Sequence, residues 1–136
     1  MRNKICTSIE QSKKLIELGI DIDTADMYWD TNTEPVIFFP LHDIETDWDY
    51  AQANGMVPAW TLTALLNCIK IEHNLHGFYD GMGNMVYRLE TLYAGNSKTC
   101  DNPVDAVYDM LFKLKEKNLL FAVDDMLSKL KEKNLL

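Results

Sequence analysis

The 136-residue chain is predicted to fold as an α+β domain, and three features predict it. Apolar residues recur with a helical period over residues 7–19, 58–70 and 103–120. Between the first two segments, PVIFFP is short, β-branched and aromatic, with a proline at each end, which suits an edge strand. Between the last two, HGFYDGMGNMVYRLETLYAG alternates about a glycine-rich centre, as a β-hairpin does. One strand and one hairpin make a small antiparallel sheet covered by segregated helices.

The elements follow in order. TSIEQSKKLIELG is a helix capped by Thr7 or Ser8; Ser8 and Gln11 have capping-box spacing, and Gly19 is placed to stop it. Ile9, Leu15, Ile16 and Leu18 give it an apolar side. In IDIDTADMYW, Ile20 and Ile22 point inward, and Asp23 or Thr24 caps a short turn carrying Met27, Tyr28 and Trp29. After PVIFFP, HDIETDWDYAQANG is a polar loop. VPAWTLTALLNCIK begins a second helix, with Pro58 in its first turn and Leu62, Leu65, Leu66 and Ile69 as its buried stripe. Gly81, Gly83 and Asn84 supply the positive-φ positions of the hairpin. DNPVDAVYDMLFKLKEKNLL is the last helix of the domain, opened by Asp101 or Asn102 and Pro103, with Val104, Val107, Leu111 and Leu114 on one face.

That helix is written twice. AVYDMLFKLKEKNLL at 106–120 returns as AVDDMLSKLKEKNLL at 122–136, changed only from Tyr108 to Asp124 and from Phe112 to Ser128. Residues 1–120 are therefore read as one domain and 121–136 as a duplicated helical extension. A 16-residue offset turns a helix by about 160° beyond whole turns. One unbroken rod thus carries its second apolar stripe almost opposite the first. Either the chain breaks near Asn118–Phe121 and folds back, or the second stripe meets another chain. Val123, Met126, Leu127 and Leu130 are the expected self-association face.

Composition narrows the function. Apolar residues make up 47% of the chain and charged residues 25%, a globular balance. No apolar run reaches the length of a membrane span, and MRNKICTSIEQSKK has no secretory core, so cytoplasmic localisation is expected. Cys6, Cys68 and Cys100 are odd in number and contain no CxxC pair, as expected of reduced thiols. The net charge is −8, and no Lys or Arg occurs between Lys14 and Lys70. Such a field repels phosphate backbones and excludes direct nucleic-acid binding, while attracting a basic protein surface. Asp21, Asp23, Asp26, Asp30, Asp43, Glu45, Asp47 and Asp49 form the expected partner-binding surface.

Chemistry-bearing patterns are sparse. His73 and His76, with Glu72 adjacent and Cys68 upstream, fall short of a zinc set. HDIETDWD alternates carboxylates, but Trp48 stands where a calcium loop needs its glycine and Asn54 where it needs its glutamate. DGMGN lacks the third glycine of a phosphate cradle. Cys68, His42 and Asp43 are one of many catalytic sets that only folding can assemble, and nothing in the sequence favours it over the others. Trp29, Trp48, Trp60, Tyr28, Tyr50 and Tyr79 line either a core or a pocket. No catalytic residue, metal or cofactor is assigned.

VPAWTLTALLNCI, DNPVDAVYDMLFKLKEKNLL and SIEQSKKLIELGIDIDTADMYW together resemble a group of short, uncharacterised proteins encoded by phages and mobile elements of gut bacteria. The likeness spans most of residues 7–120; the tail at 121–136 departs from it. A weaker architectural likeness is to the phage ABA sandwich domain. The resemblance implies an accessory protein and brings no activity, cofactor or catalytic residue with it. It places Trp60 against the sheet and makes DNP the capped start of the last helix. Three functions are open: a non-enzymatic accessory protein binding through its acidic surface, an acidic mimic inhibiting a nucleic-acid-binding protein, and a small ligand-binding domain or enzyme using the aromatics with His42, His73 or His76.

Overall fold

A computed structural model describes residues 4–32, 37–40, 53–117 and 119–120. The molecule is α+β, with helices beside small antiparallel sheets. It divides into two compact units, Met1–Cys68 and Ile69–Leu136.

In the first unit, α1 (Ile9–Leu18) begins at Ser8. The Ser8 hydroxyl accepts from the Gln11 amide at 3.1 Å, and the Gln11 side chain accepts from the Ser8 amide at 3.0 Å. This is the expected capping box. Gly19 ends the helix at φ 103°, a left-handed position that costs glycine little. A single 3₁₀ turn, Ile22–Thr24, leads into β1 (Met27–Asp30). β2 (Ile37–Pro40) and β3 (Met56–Ala59) pair antiparallel with β1 on either side, in the order β2-β1-β3. α2 (Leu62–Asn67) follows, and α1 packs on β3.

Two expectations change here. MYWD, read as part of a turn, is the central strand of the sheet. MVPA, read as a helix start, is strand β3; α2 begins only at Leu62, with Thr61 as its cap. Pro58 cannot donate to a ladder, and β3 is an edge strand where that loss is tolerated. Trp60, in the link between β3 and α2, is fully buried.

A buried polar lattice fixes the N-terminal segment to this turn. The Thr7 amide donates to the Trp60 carbonyl at 2.9 Å, and the Trp60 amide donates to the Thr7 hydroxyl at 3.1 Å. The Thr7 hydroxyl also bonds Ser12 Oγ at 2.8 Å. Thr7, Ser12 and Trp60 have no exposed surface, so every one of these polar groups depends on a protein partner.

In the second unit, β4 (His73–Tyr79) and β5 (Met85–Thr91) form an unbroken hairpin, and β6 (Gly95–Asn96) extends it in the order β4-β5-β6. Asp80 makes the turn: its carboxylate accepts from the Met82 amide at 2.8 Å and the Asn84 amide at 2.9 Å, while Gly83 takes φ 82°. α3 (Pro103–Glu116) starts at Asn102, whose side chain accepts from the Asp105 amide at 2.8 Å. α3 packs on β5, burying Val104, Ala106, Val107, Met110, Leu111 and Leu114.

The strands therefore form two sheets rather than one. Both edges of β1 are used by β2 and β3, and both edges of β5 by β4 and β6. Neither central strand has a free edge on which to join the other set. α3 ends at Glu116 with Lys117 as its cap. The second copy, with Val123, Met126, Leu127 and Leu130, lies outside the described residues.

Candidate functional site

The acidic residues have separate duties. Asp21 accepts from the Asp23 amide at 3.0 Å and caps the 3₁₀ turn, which the sequence assigned to Asp23 or Thr24. Asp30 accepts from the Asn32 amide at 2.9 Å at the end of β1. Asp26 accepts from the Thr61 amide at 2.9 Å and from the Thr61 hydroxyl with its other oxygen, tying the start of α2 to the entry of β1. Asp23 and Glu17 are exposed. Asp43, Glu45, Asp47 and Asp49 lie outside the described residues, as do His42, Trp48 and Tyr50.

The remaining candidates separate. Trp29 donates its indole N–H to the Thr7 carbonyl at 2.9 Å, and Trp60 donates to Thr24 Oγ1 at 2.8 Å. Tyr28 and Trp60 are buried and Trp29 is half-buried. The indole N–H groups hold the segments around them. Cys68 is buried and donates to the Ala64 carbonyl at 3.3 Å. Burial, then the Asp26 carboxylate, pushes the Cys6 thiol up to about 11, with Lys4 pulling weakly the other way. Burial likewise raises Cys100, reinforced by Asp105, Asp109 and Asp101. Cys6 and Cys100 thus hold their protons at neutral pH, whereas a nucleophilic cysteine needs the thiolate.

His73 and His76 stand on β4, not at the end of a helix. On a strand, residues three apart point to opposite faces, so the two imidazoles cannot converge on one ion. His73 Nδ1 lies 2.9 Å from the Ile71 carbonyl. Among the described residues, no group of three or more His, Cys, Asp and Glu side chains is placed to hold a metal.

The hairpin instead assembles a group that the sequence reading missed. His76 pairs across the ladder with Arg88, and Asn74 with Glu90. Glu90 lies 2.9 Å from His76 Nε2 through one oxygen and accepts from Arg88 Nη2 at 2.9 Å through the other. Arg88 also sits 5.3 Å from the centre of the Phe78 ring, a cation–π distance. Its Nε is covered and without a hydrogen-bond partner among the described residues. The Glu90 carboxylate is thereby held from two sides. The readable signal was RxE on one strand, which places Arg88 and Glu90 on one face, but His76 joins them only once the register is known.

Glu90 also lines an open cleft of about 260 Å³ with Glu72, His73, Asn74, Thr91 and Leu92. That is below the roughly 300–1,000 Å³ of drug-sized ligand pockets and suits a side chain better than a metabolite. A second cleft of about 240 Å³, in the first unit, is lined by Lys13, Ile16, Met56, Val57 and Pro58. No helix among the described residues is long and apolar enough to cross a membrane. No protein-family model, curated protein or solved structure matches the chain.

Proposed function

We propose that this protein is a non-enzymatic accessory protein, of the phage and mobile-element kind its sequence resembles, and acts by binding a basic protein surface. The observation that carries the reading is the charge pattern: a net −8, with no Lys or Arg between Lys14 and Lys70. Exposed Glu17 and Asp23 lie within that stretch and carry their charge to solvent. Attraction of this kind speeds encounter and weakens with salt. The test is capture from bacterial lysate at low and high salt by the wild type and by E17K/D23K, a variant that disturbs no helix cap. Salt-sensitive capture that the double reversal abolishes supports the reading. Capture indifferent to both salt and substitution removes it.

Self-association through Val123, Met126, Leu127 and Leu130 belongs to the same reading. Sedimentation at rising concentration should show an oligomer that deletion of 121–136 returns to monomer. A protein that is monomeric throughout, with unchanged stability after deletion, overturns it.

A further inference from the structure

We propose that the outer edge of β4 takes an added strand from a partner protein: an extended segment with lysine or arginine at alternate positions. In an antiparallel ladder, the N–H and C=O of one residue point to the same side. Tyr87 exchanges both groups with Cys100, at 2.7 and 2.9 Å, and the Leu89 carbonyl accepts from the Ser97 amide at 2.8 Å. The backbones of Tyr87 and Leu89 thus face away from β4. Their partners across the ladder, Gly77 and Leu75, make no ladder bond to β5 and turn their own N–H and C=O outward. His73 and Tyr79 follow by the same period of two. β4 is the outermost strand of its sheet, so among the described residues a row of donors and acceptors is left without a ladder partner along that edge.

This edge lacks the usual protection. Natural edges are blunted by short length, charge, proline or a bulge. β4 has seven residues, against four in β2, four in β3 and two in β6. It contains no Lys, Arg, Asp, Glu or Pro, and its register with β5 is unbroken from His73 to Tyr79. Asn74, His76, Gly77 and Tyr79 are exposed.

Charge complementarity chooses the occupant. The cleft at the start of β4 presents the exposed carboxylate of Glu72, beside Glu90, whose two oxygens are engaged by Arg88 and His76. Leu92, 67% exposed on the cleft wall, offers an apolar bank for the stem of a long cationic side chain. Main-chain bonds along the edge then give affinity, and the cleft gives preference for a basic residue. The inference deepens the reading of the protein as a binder of basic partners. Its site, however, is distinct from Glu17 and Asp23.

Amide exchange on the full chain tests it, using a capped heptapeptide of alternating lysine and threonine and a matched peptide of glutamate and threonine. Free protein should show fast exchange at Leu75, Gly77 and Tyr79 and slow exchange at Asn74, His76 and Phe78. The lysine peptide should slow the first set about tenfold or more. E72Q and Tyr79→Pro should each weaken its binding by about threefold or more, the proline because it removes an outward donor that β5 does not use. If Tyr79→Pro does not fold, E72Q decides. The proposal is overturned by no protection, by equal protection from the glutamate peptide, or by protection that rises with protein concentration alone, which would make a second copy the occupant. Lysate capture indifferent to both salt and E17K/D23K, together with β4 protection by the lysine peptide, would locate a failure in the broader reading and not here.

Discussion

Thr7 is the residue on which the first unit turns. Its hydroxyl serves the Trp60 amide and Ser12, its amide serves the Trp60 carbonyl, and its carbonyl accepts the Trp29 indole. Valine keeps the volume but strands the Trp60 amide and the Ser12 hydroxyl. Thr7→Val should cost about 1–3 kcal/mol in urea unfolding, with Thr7→Ser close to wild type. Cys6, next in the chain, makes a pH prediction. Its folded value of about 11 exceeds the ordinary 9.0, so the folded chain keeps a proton that the unfolded chain releases. This contribution to stability is complete below pH 9 and falls as the pH rises to about 11, by up to about 1.4 kcal/mol per unit. The decline in unfolding free energy across that window should be shallower in Cys6→Ala, measured by urea denaturation at each pH.

At the scale of the element, α3 is held by its start and by its buried face. Asn102 is fully buried and its side chain also donates to Asp101 and Asp105 at 2.9 and 2.8 Å. Asn102→Ala should cost about 2 kcal/mol, the upper end for a lost cap, because the polar groups it leaves are covered. Leu111→Ala should cost about 2–5 kcal/mol, both measured by thermal and urea unfolding. These features were legible in the sequence because they are local: Ser8 with Gln11, Gly19, and Asn102 before Pro103 each act within one helical turn. β1 and β3 were not. Each has four residues, and MYWD becomes a strand only because residues seven or more positions away supply ladders on both of its sides. Pro58 then misled, since the same fixed φ serves a helix start and an edge strand. The Glu90 group failed to show for a similar reason: Arg88 and Glu90 share a strand, whereas His76 reaches them through pairing.

On the scale of the whole molecule, the division at Cys68 gives each unit, among the described residues, a sheet and at least one helix of its own. Trp29, Trp48 and Trp60 all belong to the first, so tryptophan fluorescence reads that unit alone. Thr7→Val should lower the fluorescence midpoint more than it accelerates amide exchange in α3, and Leu111→Ala should do the reverse. Coincident shifts in both probes would mean a single cooperative body. The early stop of α3 has an evolutionary consequence. The Leu119 amide donates to the Leu114 carbonyl at 2.8 Å, and Leu120 is 2% exposed, so the unit keeps its last described anchor at the final residue of the first copy. The duplicated stretch is thus appended directly after the last described anchor, so gaining or losing it leaves the codons of every anchor described before it unchanged.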